Sequence, residues 1–170
     1  MEWANKWQLT FNIEKCKVLH YGNNNPCLKY VMSNTELSDS DLEKDLGVHF
    51  DPSLKFSSHV GKITTKANQR LAIIKRTFSK MTPDMFLPLY KTLVRPILEY
   101  CSSVWNPLLK KDKVEIEKVQ RRATKIIHEF KDLEYSERLF RLKLDSLNFR
   151  RRRADLIQVF KILKNKENIF

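Results

Sequence analysis

The sequence predicts an α+β protein that is mainly α. A small antiparallel β-hairpin piece over about residues 10–50 leads into a helical bundle over about 56–165. Three observations carry this. Apolar residues alternate with a period near 2 before Phe56 and recur with a period near 3.6 after it. Only 3 glycines occur in 170 residues, too few for a glycine-rich all-β protein or a phosphate-cradling loop. The charge is also split. Up to Leu54 there are 5 Lys/Arg against 8 Asp/Glu, a net of −3, and from Lys55 onward 27 against 12, a net of +15, which together give the chain's net +12.

Trp3 and Trp7, four apart, place a helix end over residues 2–9. Thr10–Ile13 and Lys17–Tyr21 read as short extended pieces. Gly22-Asn-Asn-Asn-Pro26 is a turn, and Leu28–Met32 a strand returning as a hairpin. Leu46–Phe50 is a further strand, closed by Asp51-Pro52. The first helix of the bundle spans 57–80, with Val60, Ile63, Ala67, Leu71, Ile74 and Phe78 inward. Thr82-Pro83 opens a second helix, since proline fits a first turn. Its inward set is Phe86, Leu89, Tyr90, Leu93, Val94, Ile97, Cys101 and Trp105, with a kink near Thr92 because Pro96 lacks an amide donor. Asp112 caps a third helix that buries Ile116, Val119, Ala123, Ile126, Ile127 and Phe130. Helices at about 135–143 and 147–165 bury Leu139, Leu142, Leu144, Leu147, Ala154, Ile157, Phe160 and Leu163.

Several chemistries find no support. Cys16, Cys27 and Cys101 are odd in number and widely spaced, and the four histidines are scattered, so neither a disulfide framework nor a zinc or other metal site is expected. Asp39, Asp41, Glu43 and Asp45 form the densest acidic cluster, but it lacks the glycine and the bidentate glutamate of a calcium loop and reads as solvated. No G-x-S-x-G, H-E-x-x-H, P-loop or C-x-x-C motif occurs. No apolar run reaches the ~18 residues that cross a bilayer, and the N-terminus lacks a secretory pattern. The expectation is an intracellular protein, nuclear or cytoplasmic, with no membrane partner.

The basic residues carry the functional signal. Lys118, Arg121, Arg122 and Lys125 recur at helical spacing, Arg150, Arg151, Arg152 and Arg153 are consecutive, and Lys62, Lys66 and Arg70 extend the pattern, with Lys75 and Arg76, along the first long helix. Guanidinium groups bind phosphate bidentately, and neutralising phosphates releases counterions, so RNA, DNA or an RNA–DNA hybrid is the expected partner. Four consecutive arginines cover every side of a helix turn and cannot all pair with carboxylates. The plainer alternatives are a solvated face or, for the arginine run, a nuclear import signal. No element looks suited to reading base edges, so binding should be backbone-directed.

Four blocks carry a resemblance: W-x3-W-x-L-x-F-N-x2-K-C from Trp3, K-D-L-G-V-x-F-D from Lys44, L-Y-K-T-L-V-R-P-I-L-E-Y-x3-V-W-N-P from Leu89 and V-Q-R-R-A-T-K-I-I from Val119. In that order they resemble the C-terminal part of the reverse transcriptases of non-LTR retrotransposons, the jockey-like and long interspersed elements. The resemblance implies that residues 1–54 are the end of the palm with a primer-grip-like hairpin at Leu46, Gly47 and Val48, and that 55–170 are a basic, thumb-like helical domain. Lys15 lies in the motif whose lysine has been proposed to help pyrophosphate leave. Asp45 stands where the family commonly has an aromatic residue. The polymerase's metal-holding aspartates precede the matched blocks in the family, and this chain has no Asp-Asp pair. The resemblance therefore implies a truncated copy, inactive alone, with no cofactor in this chain although the parent enzyme uses Mg²⁺, and with possible contact to the absent palm and fingers. A domesticated nucleic-acid or protein-binding module and a relic without function are the alternatives. The sequence does not give the oligomeric state.

Overall fold

The computed structural model describes residues 2–166, so the extreme ends of both expected domains lie outside the described residues. The chain divides into two compact units, Met1–Leu54 and Lys55–Phe170. The protein is α+β and mainly α.

The first unit is built from very short elements. Helix α1 (Glu2–Lys6) brings the rings of Trp3 and Trp7 to 6.4 Å. The extended piece expected over Thr10–Ile13 is absent. Asn12 instead caps a 3₁₀ turn at Ile13–Lys15, its side-chain oxygen accepting the Lys15 amide at 3.3 Å. Strand β1 (Lys17–Val18) does not pair with the Leu28–Met32 segment. It lies parallel to β4 (Ser38–Asp39), with Lys17 opposite Ser38. β2 (Val31–Met32) turns back through Ser33 and Asn34 onto β3 (Thr35–Glu36), and β5 (Glu43–Asp45) turns back through Leu46 and Gly47 onto β6 (Val48–Phe50). The turn residues explain the change of partner. Ser33, Asn34, Leu46 and Gly47 all have positive φ, and two-residue turns of that kind match the twist of the strands they join. The longer loop through Gly22 holds no such pair.

In the second unit, α2 (Ser57–Thr77) and α6 (Lys110–Thr124) form the central pair. The Ser57 hydroxyl donates to Asp112 at 2.6 Å and Arg122 donates to Asn68 at 3.1 Å. These links join residues 55 and 54 apart, so the two helices run parallel and in step. Parallel neighbours need a long return connection, supplied here by residues 78–109. Asp112 is not the cap of α6. Leu109 occupies that position, and Asp112 sits buried in the first turn, where a carboxylate meets the positive end of the helix. Val60, Ala67, Leu71 and Ile74 of α2 are buried, as are Ile116, Val119 and Ala123 of α6. A fully buried aliphatic side chain contributes about 1.5–3 kcal/mol over its exposed state.

The return connection departs from a single kinked helix. It runs α3 (Pro83–Leu89), a π turn at Tyr90–Val94, α4 (Arg95–Glu99), a break at Tyr100 and Cys101, and α5 (Ser102–Trp105). Pro96 has no amide to donate to Thr92, and the chain widens there by one residue. The widening changes which side chains face inward. Phe86, Tyr90, Val94, Leu98 and Ser102 are buried at steps of four, whereas Leu93 and Cys101 are exposed. Trp105 is buried, donates its indole N–H to the Tyr100 carbonyl at 2.6 Å and lies 4.9 Å from the His59 ring.

Helix α7 (Tyr135–Leu142) and α8 (Leu147–Leu163) complete the unit. Leu142, Leu144 and Leu147 are buried. Ala154, Ile157, Phe160 and Leu163, expected inside, are exposed. The amino-terminal half of α8 already fills the space over α5 and α6, using Leu147 and Arg151.

Candidate functional site

The basic residues of α6 sit beside a buried polar network that fixes their helix. Tyr90 donates to Gln120 Oε1 at 2.5 Å, and Gln120 Nε2 donates to Tyr135 Oη and to the Asp145 carbonyl, each at 3.0 Å. The Tyr135 hydroxyl donates to Glu117, whose two carboxylate oxygens accept the amides of Leu147 and Asn148. Glu117 therefore satisfies the first amides of α8 together with the capping Ser146, which accepts the Phe149 amide. Burial raises both phenol pKa values above the usual range, and the Glu117 carboxylate adds to the rise at Tyr135.

On this frame, Lys75 of α2, Arg122 of α6, Lys125 at the end of that helix, and His128 and Lys131 of the turn that follows line one open cleft of about 550 Å³. Its floor includes Leu71, Phe78 and Ile126. A second cleft of about 510 Å³ shares Arg122, Lys125 and Lys131 and adds Lys118, Arg121 and Arg138. The two make a continuous cationic strip. The Arg121 guanidinium lies 4.2 Å from the Tyr135 ring centre, which holds its plane while leaving its outer edge exposed. Lys118 is partly engaged with Glu115 at 2.5 Å, and Arg122 is steadied by Asn68. Arg138 is largely buried, bonds the Arg121 carbonyl at 3.3 Å, and has its pKa lowered chiefly by burial.

The remaining candidates are dispersed. Lys62, Lys66 and Arg70 are exposed on α2, but at 100° per residue they face nearly away from Asn68, Ala72 and Lys75, and none lines either cleft. The arginine run is divided. Arg150 grips Glu99 through two nitrogens, and its pKa is raised by that bond. Arg151 is buried, with Nε donating to Asn106 Oδ1 at 3.3 Å, and burial lowers its pKa. Arg152 and Arg153 are exposed. An interior position for Arg151 removes it from any phosphate surface, a correction to the run as read from sequence. Lys131 and His128 were not singled out as binding residues, since they lie beyond the periodic part of α6 where spacing gives no signal.

In the first unit, Asn12, Lys15 and Cys16 form one local turn, with the Cys16 thiol donating to the Asn12 carbonyl at 3.3 Å and Lys15 exposed. Leu46 and Gly47 form the tip of the β5–β6 hairpin, and Val48, paired with Asp45 beside that turn, is buried. Among the described residues no three His, Cys, Asp or Glu side chains stand where they could hold a metal ion, and no helix is long and apolar enough to cross a membrane.

Comparison with known proteins adds a lineage. The chain is 31% identical over 113 residues to an RNA-directed DNA polymerase from the mobile element jockey of Drosophila funebris. This chain is similar to a segment of mobile-element reverse transcriptases. A probable RNA-directed DNA polymerase from the transposon X-element of Drosophila melanogaster is 24% identical over 137 residues. The matches take in 62% and 74% of this chain but 12% and 14% of those relatives, so the chain spans about an eighth of their length. No family model and no solved structure matches. The relation agrees with the resemblance read from the four sequence blocks.

Proposed function

We propose that this chain is a reverse-transcriptase-related module that holds the sugar–phosphate backbone of RNA, DNA or an RNA–DNA hybrid and does not itself add nucleotides. The convergence of Lys75, Arg122, Lys125 and Lys131 on one cleft carries the reading. These cations come from two helices and a turn, and their shared surface is continuous with Arg121 and Lys118. Regularly spaced phosphates suit such a strip, whereas nothing in it is arranged to read base edges. The similarity to RNA-directed DNA polymerases supports a nucleic-acid ligand. In this reading residues 55–170 act as a thumb-like grip, and Leu46, Gly47 and Val48 as a primer-grip-like hairpin. The non-catalytic part rests on chemistry. Two-metal phosphoryl transfer needs clustered carboxylates, and the sequence has no Asp-Asp pair.

Two measurements test this. Fluorescence anisotropy with labelled single-stranded RNA, duplex DNA and hybrid should show affinity falling steeply between about 50 and 200 mM salt, with little dependence on base sequence. A salt-insensitive affinity would overturn the binding assignment. Primer extension with Mg²⁺ should give background incorporation only, and incorporation above background would overturn the non-catalytic assignment.

A further inference from the structure

Helix α8 has a packed side and, opposite it, an exposed apolar side. One side packs on α5 and α6 through Leu147 and Arg151. The other carries Phe149, Leu156, Val159, Phe160 and Leu163, all exposed, with Leu156 at 71% and Leu163 at 75%. At 100° per residue these five lie within one stripe centred opposite the packed side. An isolated exposed leucine has no special meaning, but a continuous stripe along a four-turn helix does.

The stripe has a period and a charge. Phe149, Leu156 and Leu163 recur every seventh residue, with Arg152 and Val159 between them at the alternate seam positions. That spacing fits a second helix crossing at a shallow angle. Arg152 lies within the stripe near its start and Arg153 flanks it there, and Lys164 and Lys166 flank its end, all exposed. Lys166 lies 5.8 Å from the Phe160 ring centre and so shields part of the seam. The one carboxylate in α8, Asp155, is half-buried and accepts a hydrogen bond from Asn106 at 2.6 Å. The seam thus meets solvent with basic ends.

We infer that the outer face of α8 is a docking surface for an amphipathic helix of a partner protein that bears an apolar seam with acidic flanks. A second copy fits poorly. Parallel self-pairing sets Arg152 and Arg153 against themselves, and antiparallel pairing sets them against Lys164 and Lys166. This surface shares no residue with the cationic clefts, so it stands or falls separately from the nucleic-acid reading.

The test uses the full chain and a synthetic helical peptide of about three heptads with Leu at the seam positions and Glu at the flanks, beside the same peptide with Lys at the flanks. Isothermal titration should show the Glu-flanked peptide binding at least about tenfold more tightly. Leu156→Asp/Val159→Asp should abolish binding while leaving nucleic-acid affinity and helical circular dichroism unchanged, which separates docking from misfolding. Arg152→Glu/Arg153→Glu should reverse the preference toward the Lys-flanked peptide. Equal affinity for both peptides, or none, would overturn the inference. A dimer in light scattering that Leu156→Asp dissolves would overturn it in favour of a second copy. Binding to phosphatidylserine vesicles that the same change removes would assign the face to a lipid surface instead.

Discussion

Arg150 holds Glu99 at two points, Nε against Oε1 and Nη2 against Oε2 at 3.0 Å, and so ties the start of α8 to the end of α4. Arg95, four residues before Glu99, reaches the same carboxylate at 3.6 Å. The pair is about two-thirds to four-fifths shielded from water, which places it above an ordinary surface ion pair. Arg150→Ala should therefore lower unfolding free energy by about 1–2 kcal/mol in urea denaturation, while Arg152→Ala, in the same run but exposed, should change it by less than ~0.5 kcal/mol. Glu99→Ala combined with Arg150→Ala should cost less than the sum of the two.

The cleft gives a sharper contrast. Arg122→Glu/Lys125→Glu reverses two charges shared by both clefts. It should weaken RNA or DNA binding more than about tenfold and reduce the salt slope by about 2. Lys66→Glu/Arg70→Glu, on the far side of α2, should have less than about threefold effect. Anisotropy titrations at several salt concentrations measure both.

The buried phenols make stability depend on alkaline pH. Tyr90 has its pKa raised, mainly by burial, and Tyr135 is shifted the same way. A group whose folded pKa exceeds its unfolded value keeps its full contribution below the unfolded value, near 10, and loses it as pH rises toward the folded one. Unfolding free energy should thus fall as pH rises above about 10, with Tyr90 and Tyr135 both contributing to the fall. Tyr90→Phe/Tyr135→Phe should flatten the profile between about pH 9 and 11, as read by denaturant midpoints. An unchanged slope would place the titrating groups elsewhere.

The π turn predicts which leucines matter. Leu98 is fully buried, whereas Leu93 is 46% exposed. Leu98→Ala should cost about 2–5 kcal/mol and Leu93→Ala under ~1 kcal/mol. Equal costs would mean that the chain keeps a plain α-helical register through Pro96.

The first unit should open more readily than the second. Its strands are two or three residues long and paired in twos. Isolated two-stranded pieces are marginal in water. Amides of residues 10–50 should exchange with deuterium faster than those of 86–130, and equal protection would contradict this.

The sequence by itself determined the mainly helical α+β class, the change of period at Phe56, the ends of α2, α7 and α8 to within a few residues, and the basic character of everything after Leu54. These follow from local spacing and composition, which each segment carries within itself. It also carried the lineage, through blocks whose residue order survives as text. Tertiary structure decided the rest. Strand partners depended on which turns had two positive-φ residues, and Ser33-Asn34 prevailed over the Gly22 loop. The inward face of residues 86–105 depended on a π turn that moved the buried stripe from Leu93 to Leu98. The roles within Arg150–Arg153 depended on what stood opposite each one: Glu99 engaged Arg150, Asn106 received Arg151 in the interior, and Arg152 and Arg153 stayed exposed. Consecutive residues on a helix point in different directions, so one run of four identical side chains holds an ion pair, a buried cation and two surface charges, and only the neighbouring helices fix which is which.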